Sequence, residues 1–169
     1  MKCQLLLLLG VFFKLSHSDS EPQTTLVEGY LLCKSCGEDS TVLNLIDNTR
    51  LSNHNLGFAN ITFGEKEVVV QDLTNPRGIT FRILISKKAK CAQTSTWYKD
   101  STWFEGYAWK ICQCPSCRAH IGWMFEPFES AAKNPIYPSD KGFYAIILDS
   151  VISEAYVNSL LIVDKILRN

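Results

Sequence analysis

The chain has 169 residues, with 17 basic and 17 acidic side chains and a net charge of zero when histidine is neutral. This balance argues against a nucleic-acid partner, because binding to a phosphate backbone requires a surplus of lysine and arginine on one face. The hydrophobic share of 46% is typical of a globular domain, and the length fits a single domain with a substantial core.

The first 18 residues have the layout of a secretory signal peptide. Lys2 provides a positive charge, residues 5–13 form an almost unbroken apolar run, and Ser16 and Ser18 place small side chains before a cleavage point. The run is too short for a permanent anchor, and no later segment has the length and apolarity of a membrane span. We therefore expect cleavage after about Ser18, loss of Cys3 with the leader, and secretion of the mature protein.

The remaining sequence predicts a mainly β fold with little helix. Residues 30–37 favour a strand that runs into a tight turn, and residues 67–73 and 78–86 are β-branched and alternating, as strands are. The Asn75-Pro76 sequence marks a turn between the last two. Residues 42–63 mix apolar and Asn-rich stretches, which indicates a long surface loop or a pair of short strands.

The later segments continue the β pattern, and a helical period appears only near the end of the chain. Residues 103–114 resemble a strand broken at Gly106, and residues 120–127 a short strand ended by proline. The proline-containing residues 128–140 are typical of a linker or lid, and residues 142–152 predict a final strand. A helical stripe follows at Val157, Leu160, Leu161, Val163 and Leu167. That helix either covers its own domain or packs on another chain.

Two Cys-x-x-Cys pairs of identical spacing lie far apart in the chain, Cys33/Cys36 and Cys114/Cys117. Each pair can form a turn whose backbone amides point at the sulfurs, and together they offer four thiolates for tetrahedral zinc. Such a closed site is structural, because it keeps no open coordination position. In a secreted protein, disulfide bonds and a redox pair are the alternatives.

Two further features depend on the secretory route. Apart from the two pairs and Cys3 of the leader, the chain has two cysteines, Cys91 and Cys112. Because their number is even, a disulfide bond between neighbouring strands is favoured, and two buried free thiols are the alternative. Asn60 begins an Asn-x-Thr sequon, which secretion makes available for N-glycosylation. An unmodified strand residue is the alternative at this position.

Three of the four tryptophans surround the second thiol pair. Trp103 and Trp109 are six residues apart, so they face the same side if the strand is regular, and Trp123 comes from the strand after the thiol turn. Three indoles can enclose a small flat ligand and offer N–H donors or cation–π contacts. On spacing alone, burial in the core is the alternative to an aromatic cage.

The run WFEGYAW, followed by CPSC and HIGWMF, closely resembles the CULT domain, the thalidomide-binding domain of cereblon. The first thiol pair in LLCKSCG and the turn NPRG match landmarks of this family in the same order. The resemblance covers roughly residues 30–125 and the strand at 142–152, whereas residues 40–66 match poorly. It implies a zinc-stapled, β-tent-like domain, in which two antiparallel sheets meet at a four-cysteine zinc site and a short helix follows.

The resulting organisation is a signal peptide (1–18), an N-terminal segment (19–29), a CULT domain (30–152) and a C-terminal helical tail (153–169). By resemblance, the two thiol pairs correspond to the zinc ligands of the family. The three tryptophans correspond to its cage, which holds the glutarimide ring of thalidomide-like drugs, uridine-like rings or C-terminal cyclic imides. The matching residues are Cys33, Cys36, Cys114 and Cys117 for the metal, and Trp103, Trp109 and Trp123 for the cage.

The resemblance also assigns residues around the cage. Phe125 and Tyr107 match aromatics that line or support it, and the Asn75-Pro76 turn matches the one that covers the ligand. Ser101 stands where the family has a histidine that contributes mainly backbone hydrogen bonds, and Arg77 stands where it has another histidine. Backbone groups from Ser101 to Trp103 are expected to pair with the polar face of an imide, since an unpaired buried polar atom costs ~1–3 kcal/mol.

The implied function is a secreted, noncatalytic module that binds a small cyclic imide, a pyrimidine-like ring or a polypeptide end modified as a cyclic imide. An extracellular protein-interaction module is the first alternative. A methionine sulfoxide reductase is the second, but such an enzyme needs a nucleophilic cysteine late in the fold, and none follows Cys117. His120 is expected to have a structural hydrogen-bonding role, with ligand contact as the alternative. Docking to a ubiquitin-ligase adaptor is not expected, because the chain has no room for the segments that mediate it in cereblon.

Overall fold

The computed structural model describes residues 29–92 and 96–167, with residues 162–167 described as backbone. The predicted signal peptide lies outside these residues. The described elements are β1 (Tyr30–Cys33), β2 (Asp39–Val42), β3 (Asn55–Phe63), β4 (Lys66–Thr74), β5 (Thr80–Ser86), β6 (Tyr107–Gln113), β7 (His120–Pro127), α1 (Phe128–Ala131), β8 (Phe143–Ile147), β9 (Val151–Ser153) and α2 (Glu154–Leu167).

The strands form two antiparallel sheets, which confirms the predicted mainly β architecture. The smaller sheet has the order β2-β1-β9, so its central strand pairs with a neighbour in sequence and with a strand from the other end of the domain. The larger sheet has the order β3-β4-β5-β8-β7-β6. Because β8 lies between β5 and β7, both core layers depend on pairing between distant parts of the chain.

The larger sheet is buried on both faces. Along β5, Leu84 points into a core shared with the smaller sheet, while Ile83 and Ile85 point into a second core on the opposite face. The first core contains Leu31 of β1 and Val151 of β9, and it joins the two sheets. The second core is rich in aromatic rings and lies beneath the segment that precedes β6.

A bulge in β7 decides which of its side chains reach each core. Cys112 pairs with Gly122 and Gln113 with His120, so Ile121 is an extra residue on its strand. Ile121 therefore packs in the first core, although Trp123, two residues later, belongs to the second. Gly122 has φ 154°, and a Cβ there would lie 2.0 Å from the Ala145 carbonyl oxygen. Only glycine fits this close approach.

Three predicted segments differ in the structure. Residues 55–63 form the nine-residue edge strand β3 rather than a loop or two short strands. The predicted final strand at 142–152 is two strands, because a 3₁₀ turn at Leu148–Ser150 sends the chain from the larger sheet to the smaller one. The strand predicted from residue 103 begins only at Tyr107, after a turn in which Gly106 has φ 82°.

Residues 128–140 are a strap fixed to the larger sheet, not a linker or lid. Glu126, fully buried on β7, accepts hydrogen bonds from the Ser130 hydroxyl (2.5 Å), the Asn134 amide (2.9 Å) and both the backbone N–H and hydroxyl of Ser139 (2.8 and 3.0 Å). Lys110, buried on β6, donates through Nζ to the Pro135 and Ile136 carbonyl oxygens.

Lys110 is also held by an aromatic ring. Its Nζ lies 4.5 Å from the centroid of the Trp97 ring, while the indole N–H of Trp97 donates to the Asn134 carbonyl oxygen at 2.7 Å. Burial lowers the pKa of the Lys110 ammonium, so the cation–π contact and the carbonyl oxygens offset part of a desolvation cost. The strap is therefore anchored by two buried charged side chains.

Helix α2 confirms the predicted terminal helix. Its packing partners are β1 and β9 of the smaller sheet. Leu160 and Leu161 are nevertheless 51% and 64% exposed, so these two members of the predicted apolar stripe do not cover the domain. Within the described residues, neither helix has the length and apolarity required to cross a bilayer.

Replacing Glu126 with glutamine should lower the free energy of unfolding by about 2 kcal/mol, because each carboxylate oxygen accepts two hydrogen bonds and the amide nitrogen that replaces one oxygen can accept neither of its two. Urea denaturation of the purified protein measures the loss. Glu129→Gln is the matched control, since Glu129 is exposed on the same strap and should change stability by less than about 0.5 kcal/mol. Equal stability of the two variants would contradict the anchoring role of Glu126.

Candidate functional site

The two Cys-x-x-Cys pairs meet between the sheets. The sulfur atoms of Cys33, Cys36, Cys114 and Cys117 all lie within 4.8 Å of one another. The Sγ atoms of Cys33 and Cys117 are 3.7 Å apart, and those of Cys36 and Cys114 are 3.6 Å apart. Both separations are well above the roughly 2.05 Å of a disulfide bond. Four thiols converging in this way could hold a tetrahedral metal ion.

Each pair sits in a tight turn that directs its sulfurs inward. In the first, the backbone N–H groups of Cys36 and Gly37 donate to the Cys33 carbonyl oxygen, and Gly37 has φ 79°. In the second, the Arg118 N–H donates to the Cys114 carbonyl oxygen, and Arg118 itself has φ 64°. Both turns therefore end in the left-handed region, where glycine is the favoured residue.

The thiols of the cluster have different proton affinities. Burial raises the pKa of the Cys33 thiol, whereas a hydrogen bond from the Ala119 backbone lowers the pKa of the exposed Cys117 thiol to about 7. Binding a metal ion requires thiolates, so it releases protons and becomes stronger as the pH rises. The Cys117 sulfur is the first of these two to be available as a thiolate.

A disulfide bond joins Cys91 to Cys112, as the sequence predicts, with 5.1 Å between their Cα atoms. Cys112 is on β6, but Cys91 lies outside the strands, next to an isolated bridge between Ala92 and Gln113. The bond thus ties the chain that follows β5 to the edge of the larger sheet. All six cysteines among the described residues belong to this bond or to the four-thiol cluster.

A cavity of about 540 Å³ opens on the aromatic face of the larger sheet, and Trp103, Trp109 and Trp123 all line it. Trp103 and Trp123 are 8% exposed, with ring centroids 4.6 Å apart and planes at 74°. Trp109 is half-buried and packs on Tyr98, with centroids 5.0 Å apart. The predicted tryptophans therefore share one cavity, although Trp103 lies in a turn and not on the strand of Trp109.

Most of the indole N–H groups in the cavity are already used. Trp103 donates to the Thr74 carbonyl oxygen and Trp109 to the Asp100 carbonyl oxygen, both at 2.8 Å. These hydrogen bonds fix the two rings, but they also mean that the two N–H groups are not available to a ligand. Within the described residues, the Trp123 indole N–H has no hydrogen-bond partner, so it is the donor of the three that a ligand can use.

The backbone before Trp103 has the form of a turn. Ser101 lines the cavity with φ 57°, an uncommon conformation for a non-glycine residue. The Trp103 carbonyl oxygen accepts from the Ser52 hydroxyl at 2.6 Å and is therefore occupied. In the part of the chain that the structure describes, the backbone N–H and C=O of Ser101 form no hydrogen bond.

The turn at Asn75 and Pro76 borders the same cavity. The Asn75 side-chain oxygen accepts from the backbone N–H groups of Arg77 and Ile79, both at 3.0 Å, and Gly78 completes the turn with φ 78°. Asparagine is favoured at such a position because its side chain replaces backbone acceptors. Arg77 lines the cavity as a result.

The two supporting aromatics occupy different places. Phe125 lines the cavity, whereas Tyr107 lies outside it and contacts Phe143, with centroids 5.1 Å apart. Phe143 stacks in turn on Phe125 at 5.0 Å. Tyr107 therefore contributes to the cavity only indirectly, because it packs on Phe143, and Phe143 packs on Phe125.

Two aromatic wall residues, Phe81 and Tyr98, were not predicted from the sequence, and for His120 ligand contact was only the alternative to a structural role. Phe81 contacts Trp123 at 4.9 Å, edge to face. His120 lines the cavity against Trp123 and donates through Nε2 to the Gly122 carbonyl oxygen at 2.9 Å. Burial lowers the pKa of the imidazole, so the neutral ring is favoured. The alternation of residues 80–86 was the one signal that placed Phe81 on the face of Ile83 and Ile85.

Known relatives match this chain over part of its length. No family model matches it. The chain is 31% identical to "Protein cereblon" of Danio rerio over 112 residues, which cover 64% of the chain and 21% of that relative. It is 38% identical to "Protein cereblon" of Xenopus tropicalis over 55 residues, covering 30% of the chain and 12% of the relative. The chain thus spans about a fifth or less of the length of these relatives.

The matches agree with the geometry already described. A mainly β domain with two antiparallel sheets, a short terminal helix and four convergent cysteines is what the sequence motifs led us to expect. The similarity to two cereblon proteins is therefore consistent with the arrangement of the motifs in space. Together they confirm that this chain resembles the CULT domain of cereblon.

Proposed function

We propose that this protein is a secreted, noncatalytic binding module that holds a small cyclic imide, a pyrimidine-like ring or a cyclic-imide polypeptide end between its three tryptophans. The observation that carries the proposal is the aromatic cavity that Trp103, Trp109 and Trp123 line together with Ser101. A cyclic imide has apolar edges and an acceptor–donor–acceptor face. The indole rings suit the edges, and the Ser101 backbone with the Trp123 N–H suits the polar face.

The cavity favours binding over catalysis. A reductase would need a free cysteine nucleophile, but the described cysteines are paired in the disulfide bond or gathered in the cluster. His120 donates to a backbone carbonyl oxygen and is surrounded by the rings of Phe81 and Trp123. It therefore lacks, among the described residues, the nucleophile partner and the orienting carboxylate that general-base catalysis requires.

Zinc is the metal we propose for the four-cysteine cluster. Four thiolates without oxygen ligands are typical of structural zinc sites. Two of the cysteines, Cys33 and Cys114, are buried in the core that joins the sheets, so the ion would link both sheets at one point. The role is structural because the four thiolates complete the coordination shell.

A second candidate function is protein interaction through helix α2. Tyr156, Leu160 and Leu161 are each more than half exposed on this helix, and exposed apolar side chains grouped on one element often mark a contact surface. Truncation after Tyr156 should then abolish capture of an extracellular partner without changing ligand affinity in the cavity. Unchanged capture would remove this candidate.

The ligand proposal predicts a saturable change in tryptophan fluorescence when a glutarimide such as thalidomide, or uridine, is added to the folded protein. Trp109→Ala should weaken binding by about 30-fold or more, since a buried indole in a binding site contributes ~2 kcal/mol or more. Trp97→Phe is the control, because Trp97 lies outside the cavity and bonds to Asn134. A folded protein that binds neither compound would contradict the imide proposal.

The zinc proposal predicts about one zinc ion per chain by elemental analysis of the purified protein. Cys114→Ser should lose the metal and lower the melting temperature, because metal binding contributes directly to folding. Ser116→Ala is the control from the same turn, where Ser116 is exposed and its hydroxyl bonds to Glu38. Retention of full zinc content by Cys114→Ser would exclude this cluster as the metal site.

Secretion predicts cleavage near Ser18 and glycosylation at Asn60, which is exposed on the edge strand β3. Protein secreted from a eukaryotic host should decrease in mass after treatment with an N-glycosidase, and Asn60→Gln should abolish that change. Asn53→Gln, at an exposed asparagine without a sequon, should retain it. Intracellular retention with an intact leader would contradict the proposed route.

A further inference from the structure

The cavity has more space than one six-membered ring requires. Its volume of about 540 Å³ lies in the range of sites that take drug-sized ligands. The walls also extend beyond the three tryptophans to Arg77 and Ile79 of the β4–β5 turn and to Tyr98 and Asp100 before β6. If a ring is held as proposed above, a substituent on that ring can occupy this outer part.

The outer part is partly apolar and exposed. Ile79 is 50% exposed and Tyr98 is 45% exposed, although both line the cavity. Tyr98 is held in place by two backbone hydrogen bonds to Trp109, at 2.8 and 2.9 Å. A ligand that extends past the tryptophans would cover these side chains and gain from their removal from water.

Arg77 supplies a charge at the same place. The hydrogen bonds of the Asn75 side chain to the N–H groups of Arg77 and Ile79 hold its backbone in a fixed turn. Some other cations have acidic partners: Arg82 pairs with Asp72 at 3.4 Å, and Lys90 with Glu38 and Asp39. Within the described residues, no carboxylate lies within 4.0 Å of the Arg77 guanidinium, so it is available to a ligand.

We propose that the outer part of the cavity is a second subsite in which Arg77 binds an anionic group, a carboxylate or a phosphate, attached to the ring that the tryptophans hold. A guanidinium suits both groups because its fork of N–H donors pairs with two oxygens at once. This inference rests on the proposed function and narrows its ligand class to rings that carry an acidic substituent.

Asp100 carries the charge opposite to that of Arg77, so the two residues should have opposite effects on the affinity for an anionic ligand. It also lines the cavity, on the segment before β6, and it forms no ion pair with Arg77. Its carboxylate disfavours an anion nearby, whereas its backbone oxygen fixes the Trp109 ring. Removing only its charge should therefore improve the binding of an anionic ligand, in the opposite direction to the removal of Arg77.

The test compares ligands that share one ring. Their dissociation constants are measured by tryptophan fluorescence for 3-acetamidoglutarimide, its succinyl analogue with a carboxylate, and its glycyl analogue with an ammonium group. Uridine and uridine 5′-phosphate form a second pair that separates carboxylate from phosphate recognition. The succinyl compound, the phosphate or both should bind about three- to tenfold more tightly than the neutral partner at low salt, and the preference should shrink at high salt.

Variants assign the preference to Arg77. Arg77→Gln should bring the ratio of anionic to neutral affinity to about one, and Asp100→Asn should increase it. Arg82→Gln is the control, because Arg82 is paired with Asp72 and lies outside the cavity, and it should leave the ratio unchanged.

Two results would overturn the second subsite alone: a neutral ring that binds while both anionic partners bind no more tightly, or a preference that survives Arg77→Gln. Tighter binding of the glycyl compound, which carries an ammonium group, would show instead that Asp100 makes the outer part prefer cations. Failure of every ring, neutral or charged, to bind the folded protein would remove the proposed function and the subsite with it.

Discussion

The close approach of β7 to β8 at Gly122 is the constraint on which the rest of the site depends. With a Cβ at this position, the two strands could not pair, because the carbonyl oxygen of Ala145 occupies that space. The glycine permits the bulge that turns Ile121 into the core between the sheets and Trp123 into the aromatic face. One short stretch of backbone thus connects the four-thiol cluster, which ends at Cys117, with the cavity.

The parts of the fold that the sequence predicted are those set by local chemistry. The period of two in β4 and β5, the turn at Asn75, and the equal spacing of the thiol pairs each depend on neighbouring residues. The length of edge strand β3 was missed because none of its residues is fully buried, so the sequence has no strict alternation of apolar and polar residues there. The switch from β8 to β9 was missed because Leu148–Ser150 contains neither glycine nor proline.

Other features depend on contacts between distant residues, which a local pattern does not report. Nothing near Glu126 or Lys110 indicates that these charged residues are buried, since their partners belong to a strap that follows in the chain. The three tryptophans illustrate a different case. Trp103 and Trp109 do line one cavity, but a turn and a strand bring them there, not the regular strand on which the spacing argument relied. The contact of Phe81 with Trp123 joins β5 to the distant strand β7, so the alternation of β5 gives the face of Phe81 but not its partner.

The walls of the cavity are fixed before any ligand arrives. The Asn75 turn, the paired backbones of Tyr98 and Trp109, and the internally bonded indoles of Trp103 and Trp109 leave little to rearrange. Glu126 anchors the strap to the larger sheet, so the strap does not open and close as a lid. If the cavity binds a ligand as proposed, association should be a single, rapid step with little conformational entropy cost, and related ligands should differ mainly in how long they stay bound.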